Sequence, residues 1–415
     1  MGSWCHRVAV ASFFAVACAA CGPGDPAPAS GPGGTAASTG AGAGGDGGTG
    51  SDGPTQIRVG QFNLRELSTD KLLDPADEQA SAAAEIVHHF APDVLCVNEM
   101  QYDIVHVPAS ELPGAPSGAK PGAVDGGAEN ARRLADRIAA LGPEAAYPEA
   151  VITLGNSGFD FTGGTGSFAL RGWGEFRGRY NTAVLSRFPI LTDQVRVVYD
   201  FSWADLPDNN LAKMKAATGE EPPAGFPLFE KGIIVVPVQV GEQVIHMVLM
   251  HPVSTAFEAI NPYRNDDELR GLSLFLDGKL PGVEPLPEGA RFVVVGDLNA
   301  DPDGDGDGSV PGSIEQVVDH PAVTKFFPAG AGTGGKNAQF DTFLSGCGRD
   351  DGTTVADPTT KSQWQFDYVL PSKTLGEPIG GEVFFPDFMT ARADFDLACH
   401  GSDHRFVYED VQLVP

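Results

Sequence analysis

Cysteine is scarce in this chain, with six among 415 residues, and Cys5, Cys18 and Cys21 are all crowded near its start. That leaves too few for a disulfide scaffold. Basic residues are also under-represented, with 27 Lys and Arg against 55 Asp and Glu and a formal net charge of −28. A chain this acidic does not cling to nucleic acid through its overall field. Long apolar runs are missing as well: residues 8–20 are almost entirely apolar but too short to cross a bilayer as a mature helix. The sequence contains no Cys–His zinc spacing, no His-Glu-x-x-His helix and no Gly-x-Ser-x-Gly elbow. Zinc-finger, metalloprotease and serine-hydrolase chemistry therefore find no support.

What is present begins with export. Arg7 precedes the apolar residues 8–20, the order of a secretory signal, and residues 1–21 are read as one. Cys18-Ala19-Ala20-Cys21-Gly22 resembles a bacterial lipobox in which Cys21 would carry the lipid. Cys18 stands where Leu is usual, so simple cleavage and release is the alternative. Residues 22–54 are Gly, Ala, Ser, Thr and Pro with almost no large apolar side chain. Such a segment cannot offset its conformational entropy and is read as a flexible tether. The folded part is expected over residues 55–415, as one large α/β domain acting as a monomer. It would be surface-exposed or secreted, with membrane contact only through the lipid. In that oxidising setting Cys347 and Cys399, both in polar loops, are expected to pair, while Cys96 reads as a small buried hydrophobe.

Along the folded part, Ile57, Val59, Phe62 and Leu64 mark a first strand over residues 56–64, with Asn63 near its end. Residues 77–90 are an Ala-rich helix stopped by Pro92, and residues 94–97 a buried strand with Glu99 just beyond. Strand, helix, strand places Asn63 and Glu99 at comparable ends, where an α/β sheet gathers its chemistry. Residues 129–141 and 266–276 read as amphipathic helices. Residues 232–240 and 243–250 form a hairpin about Gly241-Glu242, with His251 following. Residues 200–231, carrying Pro207, Pro222, Pro223 and Pro227, are read as an excursion over the surface. Short strands are expected at residues 342–344, 366–370 and 406–408.

The apolar run Phe292, Val293, Val294 and Val295 suits a strand buried on both faces. Gly296 ends it, and period two points Asp297 and Asn299 to one side. Strand ends thus offer Asn63, Glu99, His251, Asp297, Asn299, Asp367, Asp403 and His404. Carboxylates and amides of this kind suit Mg²⁺, Mn²⁺ or Ca²⁺ rather than zinc. Each residue alone also has a bland account, as a turn, a cap or a solvent-facing acid.

In order along the chain, Gln61-Phe-Asn-Leu-Arg-Glu-Leu67, Asp93-Val-Leu-Cys-Val-Asn-Glu99, Tyr180-Asn-Thr-Ala-Val-Leu-Ser-Arg-Phe-Pro-Ile190, Met250-His251, Gly296-Asp-Leu-Asn299, Phe366-Asp-Tyr368 and Ser402-Asp-His404 resemble the endonuclease/exonuclease/phosphatase superfamily. That deoxyribonuclease I-like group includes nucleases, inositol polyphosphate phosphatases and sphingomyelinases. The resemblance spans about residues 56–415, with insertions. It implies an α/β four-layer sandwich of two mixed β-sheets flanked by helices. It also implies metal-dependent hydrolysis of a phosphoester (nucleic acid, phospholipid or small phosphate ester) by an in-line water.

Carried onto this chain, Glu99 with Asn63 nearby would hold Mg²⁺ (or Mn²⁺). Asp297 and Asn299 would orient the water and grip a phosphate oxygen. His404, fixed by Asp403, would act as base or bind the phosphoryl group. His251 would stabilise charge or protonate the leaving oxygen, and Asp367 would complete the site. Two departures stand out: Asn98 precedes Glu99 where Gln is usual, and Pro252 follows His251 where Leu is usual. Neither removes a ligand. The alternative reading is a surface-tethered, catalytically weak binding module with the same fold.

Two secondary features remain open. Asp303, Asp305 and Asp307 alternate before Gly308, either as a separate Ca²⁺ loop or as a solvated acidic turn, because Ile314 stands where an EF-hand has its bidentate Glu. Arg171, Arg177, Arg179 and Arg187 crowd one region that the resemblance places beside the site. Arg179 and Tyr180 are the substrate-binding candidates among these neighbours, and the others balance an acidic surface.

Overall fold

The computed structural model describes residues 54–102, 120–125, 129–302, 306–332, 339–347 and 361–414. Residues 1–21, expected to be an export signal, and residues 22–53 of the expected tether lie outside the described residues. The chain runs β1 (Gln56–Leu67), α1 (Thr69–Leu73), α2 (Glu78–Phe90), β2 (Val94–Met100), β3 (Val124–Asp125), α3 (Glu129–Leu141), β4 (Glu149–Thr153) and β5 (Asn181–Ser186). It continues through β6 (Arg196–Val198), α4 (Leu211–Thr218), β7 (Ile233–Val240), β8 (Gln243–Met250), α5 (Asn261–Leu276), β9 (Arg291–Asp297) and α6 (Glu315–Val318). It closes with β10 (Phe343–Leu344), β11 (Gln363–Trp364), β12 (Asp367–Pro371), β13 (Pro378–Val383), α7 (Arg392–Gly401) and β14 (Val407–Gln412).

Two sheets result. The first has the order β13-β14-β1-β2-β5-β4-β3 and the second β12-β9-β8-β7-β6, with β10 and β11 pairing separately. Each large sheet contains one parallel pair, β1 with β2 and β8 with β9, and is otherwise antiparallel. Parallel pairing demands a crossover connection, supplied by α1–α2 in one case and α5 in the other. The C-terminal ends of both parallel pairs carry site residues.

Three apolar layers hold the sandwich together. Val59, Cys96 and Val184 from the first sheet meet Val236, Met247, Val295 and Val369 from the second. The outer face of the first sheet packs Phe62, Leu95 and Val97 against Ile86, Val87, Leu134 and Ile138 of α2 and α3. The outer face of the second packs Val248 and Val294 against Leu269, Leu272 and Phe275 of α5. The architecture is the expected α/β sandwich of two mixed sheets flanked by helices.

One expectation is overturned. Residues 200–231 do not skirt the surface: Trp203, Leu206, Met214, Phe226, Leu228 and Phe229 are buried in the core beneath the second sheet. Trp203 Nε1 donates to Asp267 Oδ2 of α5 at 2.6 Å. The prolines interrupt any regular period, so the buried aromatics leave no pattern along the sequence. Helix α5 also starts five residues earlier than expected, with Pro262 in its first turn. The hairpin about Gly241-Glu242 stands where expected. Among the described residues, no helix is long and apolar enough to cross a membrane.

Candidate active site

The site forms where the two sheets meet, and Asp297 at the end of β9 is its hub. Asp297 shares inward parity with Val293 and Val295, and it pairs in register with Asp367 at the start of β12. Gly296 makes this possible. Its φ is +152°, and a Cβ there would stand 1.9 Å from the Met250 carbonyl oxygen on β8. Three side chains face Asp297 Oδ2: Asn63 Nδ2 at 2.9 Å, His251 Nε2 at 3.5 Å and His404 Nε2 at 3.6 Å. Its Oδ1 accepts the backbone N–H of Asn299 at 2.9 Å.

Glu99 reaches the site against the pleat. Leu95 and Val97 point to the outer helices, and Glu99 shares their parity. Its φ of +62° and a break in the β2 ladder after Val97 turn the carboxylate back. Glu99 Oε1 then accepts from Asn63 Nδ2 at 3.1 Å, and Oε2 from the Glu66 backbone N–H at 3.1 Å. Arg65, Glu66, Glu99 and Asn299 are four of the seven non-glycine residues with positive φ among the described residues. Left-handed backbone is costly for such residues and collects where a side chain must be aimed.

Burial sets the protonation states. It pushes Asp297 up to about 7 despite the pull of His404, with Asp367 and Glu99 adding to the rise. Glu99 is raised by burial and then by Asp403. Burial alone would lower His404, but the carboxylates of Asp367 and Asp297 outweigh it and hold the imidazole up to about 10. His251 goes the other way, well below its ordinary value, through burial and the nearby charges of Lys231 and His404. The site therefore pairs a charged imidazole with a neutral one.

Ligand atoms of Glu99, His251 and Asp297 lie within 4.8 Å of one another. A buried and a half-buried carboxylate whose ionised forms are disfavoured, beside the Nε2 of a neutral imidazole, fit a divalent cation.

The sequence profile described as "Endonuclease/Exonuclease/phosphatase family" matches residues 60–404. The chain belongs to this family. Family members are phosphoester hydrolases.

Solved structures with similar folds include an endonuclease/exonuclease/phosphatase from Beutenbergia cavernae (19% identity, 87% of this chain and 72% of that one covered, TM-score 0.46). Others are sphingomyelinase C from Streptomyces griseocarneus (18%, 86% and 99%, 0.44) and TDP2 from C. elegans (15%, 86% and 75%, 0.44). No curated protein matches the sequence.

Around this candidate site, the expected residues are distributed as follows. Asn63, Glu99, His251, Asp297, Asn299, Asp367 and His404 converge. The expectation that Asp403 fixes His404 is corrected: His404 Nδ1 lies 2.7 Å from Asp367 Oδ2, while Asp403 Oδ2 lies 3.5 Å from Arg65 Nε. Sequence adjacency favoured Asp403, but the β9–β12 register delivers Asp367. Asn63 donates to both Glu99 and Asp297, and its own Oδ1 accepts the Arg65 backbone N–H at 2.9 Å, so it bridges the two carboxylates. Asn299 Nδ2 donates to Pro252 O at 3.2 Å.

At the rim, Arg179 Nη2 lies 2.6 Å from Glu66 Oε2, and Tyr180 Oη lies 3.0 Å from Glu66 Oε1. Arg187 faces Asp93, Arg177 faces Asp160, and Arg171 donates to Asn156. Asp303 and Asp305 lie outside the described residues. Asp307 is committed locally, accepting from Asp301 N, Ser309 N and Ser309 Oγ.

Sequence reasoning missed several neighbours. Lys231 ends the misread 200–231 segment, pairs with buried Glu230 at 2.7 Å and acts electrostatically on Glu99 and His251. Gln61 and Asn98 lie on the site floor, and Gln61 could have been found from its period-two relation to Asn63. Phe343, Trp364 and Phe366 stack together, with Phe343 edge-on to His404 at 5.2 Å. The expected disulfide between Cys347 and Cys399 is present, with Cys399 shortly before His404 in the chain. The buried Arg405 Nη2 lies 3.1 Å from Cys347 Sγ.

Proposed function

We propose that this chain is an exported, monomeric, divalent-metal-dependent phosphoester hydrolase acting by in-line attack of water. The observation that carries the reading is the convergence of Asn63, His251 and His404 on one oxygen of Asp297, with Glu99 beside it. A divalent cation, Mg²⁺ or Mn²⁺, held chiefly by Glu99, would neutralise and polarise a phosphoryl oxygen. Asp297 and Asn299 orient the water. The water oxygen forms the new bond to phosphorus while its proton passes to the Asp297 carboxylate, the acceptor nearest the water that Asp297 and Asn299 orient. The bond to the leaving oxygen breaks, and that oxygen keeps the electron pair and takes a proton from solvent. His404, held protonated by Asp367, binds a phosphoryl oxygen as a fixed positive charge. His251, as a neutral N–H donor, stabilises the leaving oxygen.

The Cys347–Cys399 disulfide supports an oxidising destination. We assign substrate binding to Arg179 and Tyr180, whose contacts with Glu66 an incoming phosphate would displace.

The test is a panel of plasmid DNA, RNA, bis-p-nitrophenyl phosphate, sugar phosphates and sphingomyelin, each with Mg²⁺, Mn²⁺ or Ca²⁺. Hydrolysis of one class, lost in His404→Ala, is expected. Hydrolysis undiminished in His404→Ala refutes the assigned roles, and no turnover of any phosphoester refutes the enzyme reading.

A further inference from the structure

Gln61 is fully buried on β1 and faces the seam between the sheets. The chemistry proposed above gives it no role. Its Nε2 lies 2.6 Å from Asn98 Oδ1 and 3.4 Å from Asp367 Oδ1. The orientation of both amides follows from their surroundings. The backbone N–H of Asp297 can only donate, and it meets Asn98 at 3.0 Å; the Asn98 atom there is therefore the carbonyl oxygen. The Gln61 atom that faces this oxygen and the Asp367 carboxylate must then be the NH2 group, since both neighbours can only accept. Asn98 Nδ2 completes the arrangement by donating to Thr182 Oγ1 at 3.3 Å.

The amide pair thus ties β1, β2 and β5 of one sheet to β9 and β12 of the other. It does so at the rung where Asp297 and Asp367 stand opposite each other. Asp367 is held from both sides: Oδ2 engages His404 Nδ1, and Oδ1 faces Gln61. A carboxylate with only one oxygen engaged can rotate about its Cβ–Cγ bond and carry the imidazole with it.

We propose that Gln61 is a positioning residue, an amide donor shared between Asn98 and Asp367 that fixes the Asp367 carboxylate and so sets His404 against Asp297. This rests on the hydrolase reading of the site. Loss of a partner behind a site ligand typically reduces activity roughly 10–100-fold. Here the loss should fall on kcat, with KM changing less than about threefold, because the misplaced charge matters most in the transition state.

The test compares Gln61→Met, which keeps length without a donor, with Thr182→Val, which loosens the far side of Asn98 without touching Asp367. Steady-state kinetics on whichever phosphoester the wild type cleaves are read alongside the His404 Nδ1 proton resonance, assigned by its loss in His404→Gln. The expected result is a fall in kcat and a shifted or broadened His404 proton in Gln61→Met, with both retained in Thr182→Val. Unchanged kcat and proton in Gln61→Met overturn the proposal, as do equal losses in the two variants, which would indicate a general loosening of the seam. If Gln61→Met does not fold, Gln61→Asn, which draws the donor back from both acceptors, is judged by the same criteria. If the wild type hydrolyses nothing, the hydrolase reading falls, while the His404 proton still decides whether Gln61 positions Asp367.

Discussion

Glu409 offers a sharp test of the packing between the sheets. It lies on β14, on the same face as Val407 and Val411, both part of the inter-sheet core. Neither carboxyl oxygen has a hydrogen-bond partner, and the residue is fully buried. Burial alone raises its pKa well above the ordinary 4.5, so the folded protein keeps it neutral while the unfolded chain ionises it. The folded state then binds more protons than the unfolded state at any pH between the two values. The benefit of keeping Glu409 neutral is complete below the ordinary Glu pKa and is lost as pH rises toward the folded value.

The slope for one proton is about 1.4 kcal/mol per pH unit wherever the folded side chain stays neutral and the unfolded one is ionised. For a domain of this size, with unfolding entropy near 2.1 cal/mol/K per residue, that lowers Tm by roughly 2 °C for each pH unit. Glu409→Leu should abolish the slope, because Val59 pairs with this position and Val407 and Val411 flank it on the same buried face. Glu409→Gln should abolish it too, while remaining less stable than the Leu variant because its amide is left unpaired. The assay is thermal unfolding of wild type and variants at pH 5, 6, 7 and 8. Asp297 and Glu268, both raised to about 7 by burial first, contribute to the slope of every variant and cancel in the difference. A wild-type-minus-Leu difference that is flat across pH would refute the reasoning.

Asp297→Asn removes the hub of the site and should reduce kcat by roughly 10³-fold or more while raising Tm, since a buried like-charge cluster is relieved; an equal fall in both would show the carboxylate to be structural. Gly296→Ala should lose both stability and activity, because its Cβ would collide with the Met250 carbonyl oxygen at 1.9 Å; a soluble, fully active Ala variant would contradict this. Replacing Cys347 and Cys399 by Ser opens a loop of 52-residue separation and should cost about 4 kcal/mol by chain entropy, read as a lowered denaturation midpoint. Chelation with EDTA should abolish hydrolysis, and adding back Mg²⁺ or Mn²⁺ should restore it; activity indifferent to both would exclude the proposed cation.

What could be read from the chain, and what could not, divides along physical lines. Strands buried on both faces betray themselves by composition, so β2, β7, β8 and β9 were visible, and Gly241-Glu242 located the hairpin between two of them. The residues at their ends followed. The partner of His404 did not, because choosing between Asp403 and Asp367 requires the antiparallel register of β9 and β12, and no local pattern carries that register. Glu99 was found as a strand-end acid although its pleat parity points outward; only the left-handed backbone at that residue reconciles the two. Residues 200–231 were misread for a different reason. Their aromatics are spaced by prolines rather than by a period, and burial without periodicity leaves no signature along the sequence.

The same seam explains why polar residues replace valines as β1 approaches the site. Ile57 and Val59 face the second sheet through the apolar core, and two and four residues after Val59 the same face presents Gln61 and Asn63. Once Asp297 and Asp367 stand opposite each other, each buried carboxylate oxygen needs a donor, and apolar packing cannot supply one. Gln61, Asn63 and His404 supply side-chain donors. Asn98 presents its oxygen to the Asp297 backbone instead and so fixes the amide pair. The acids at the centre thus dictate the amides around them. The least interchangeable residues of β1 should therefore be these two amides, although only one of them touches both Glu99 and Asp297.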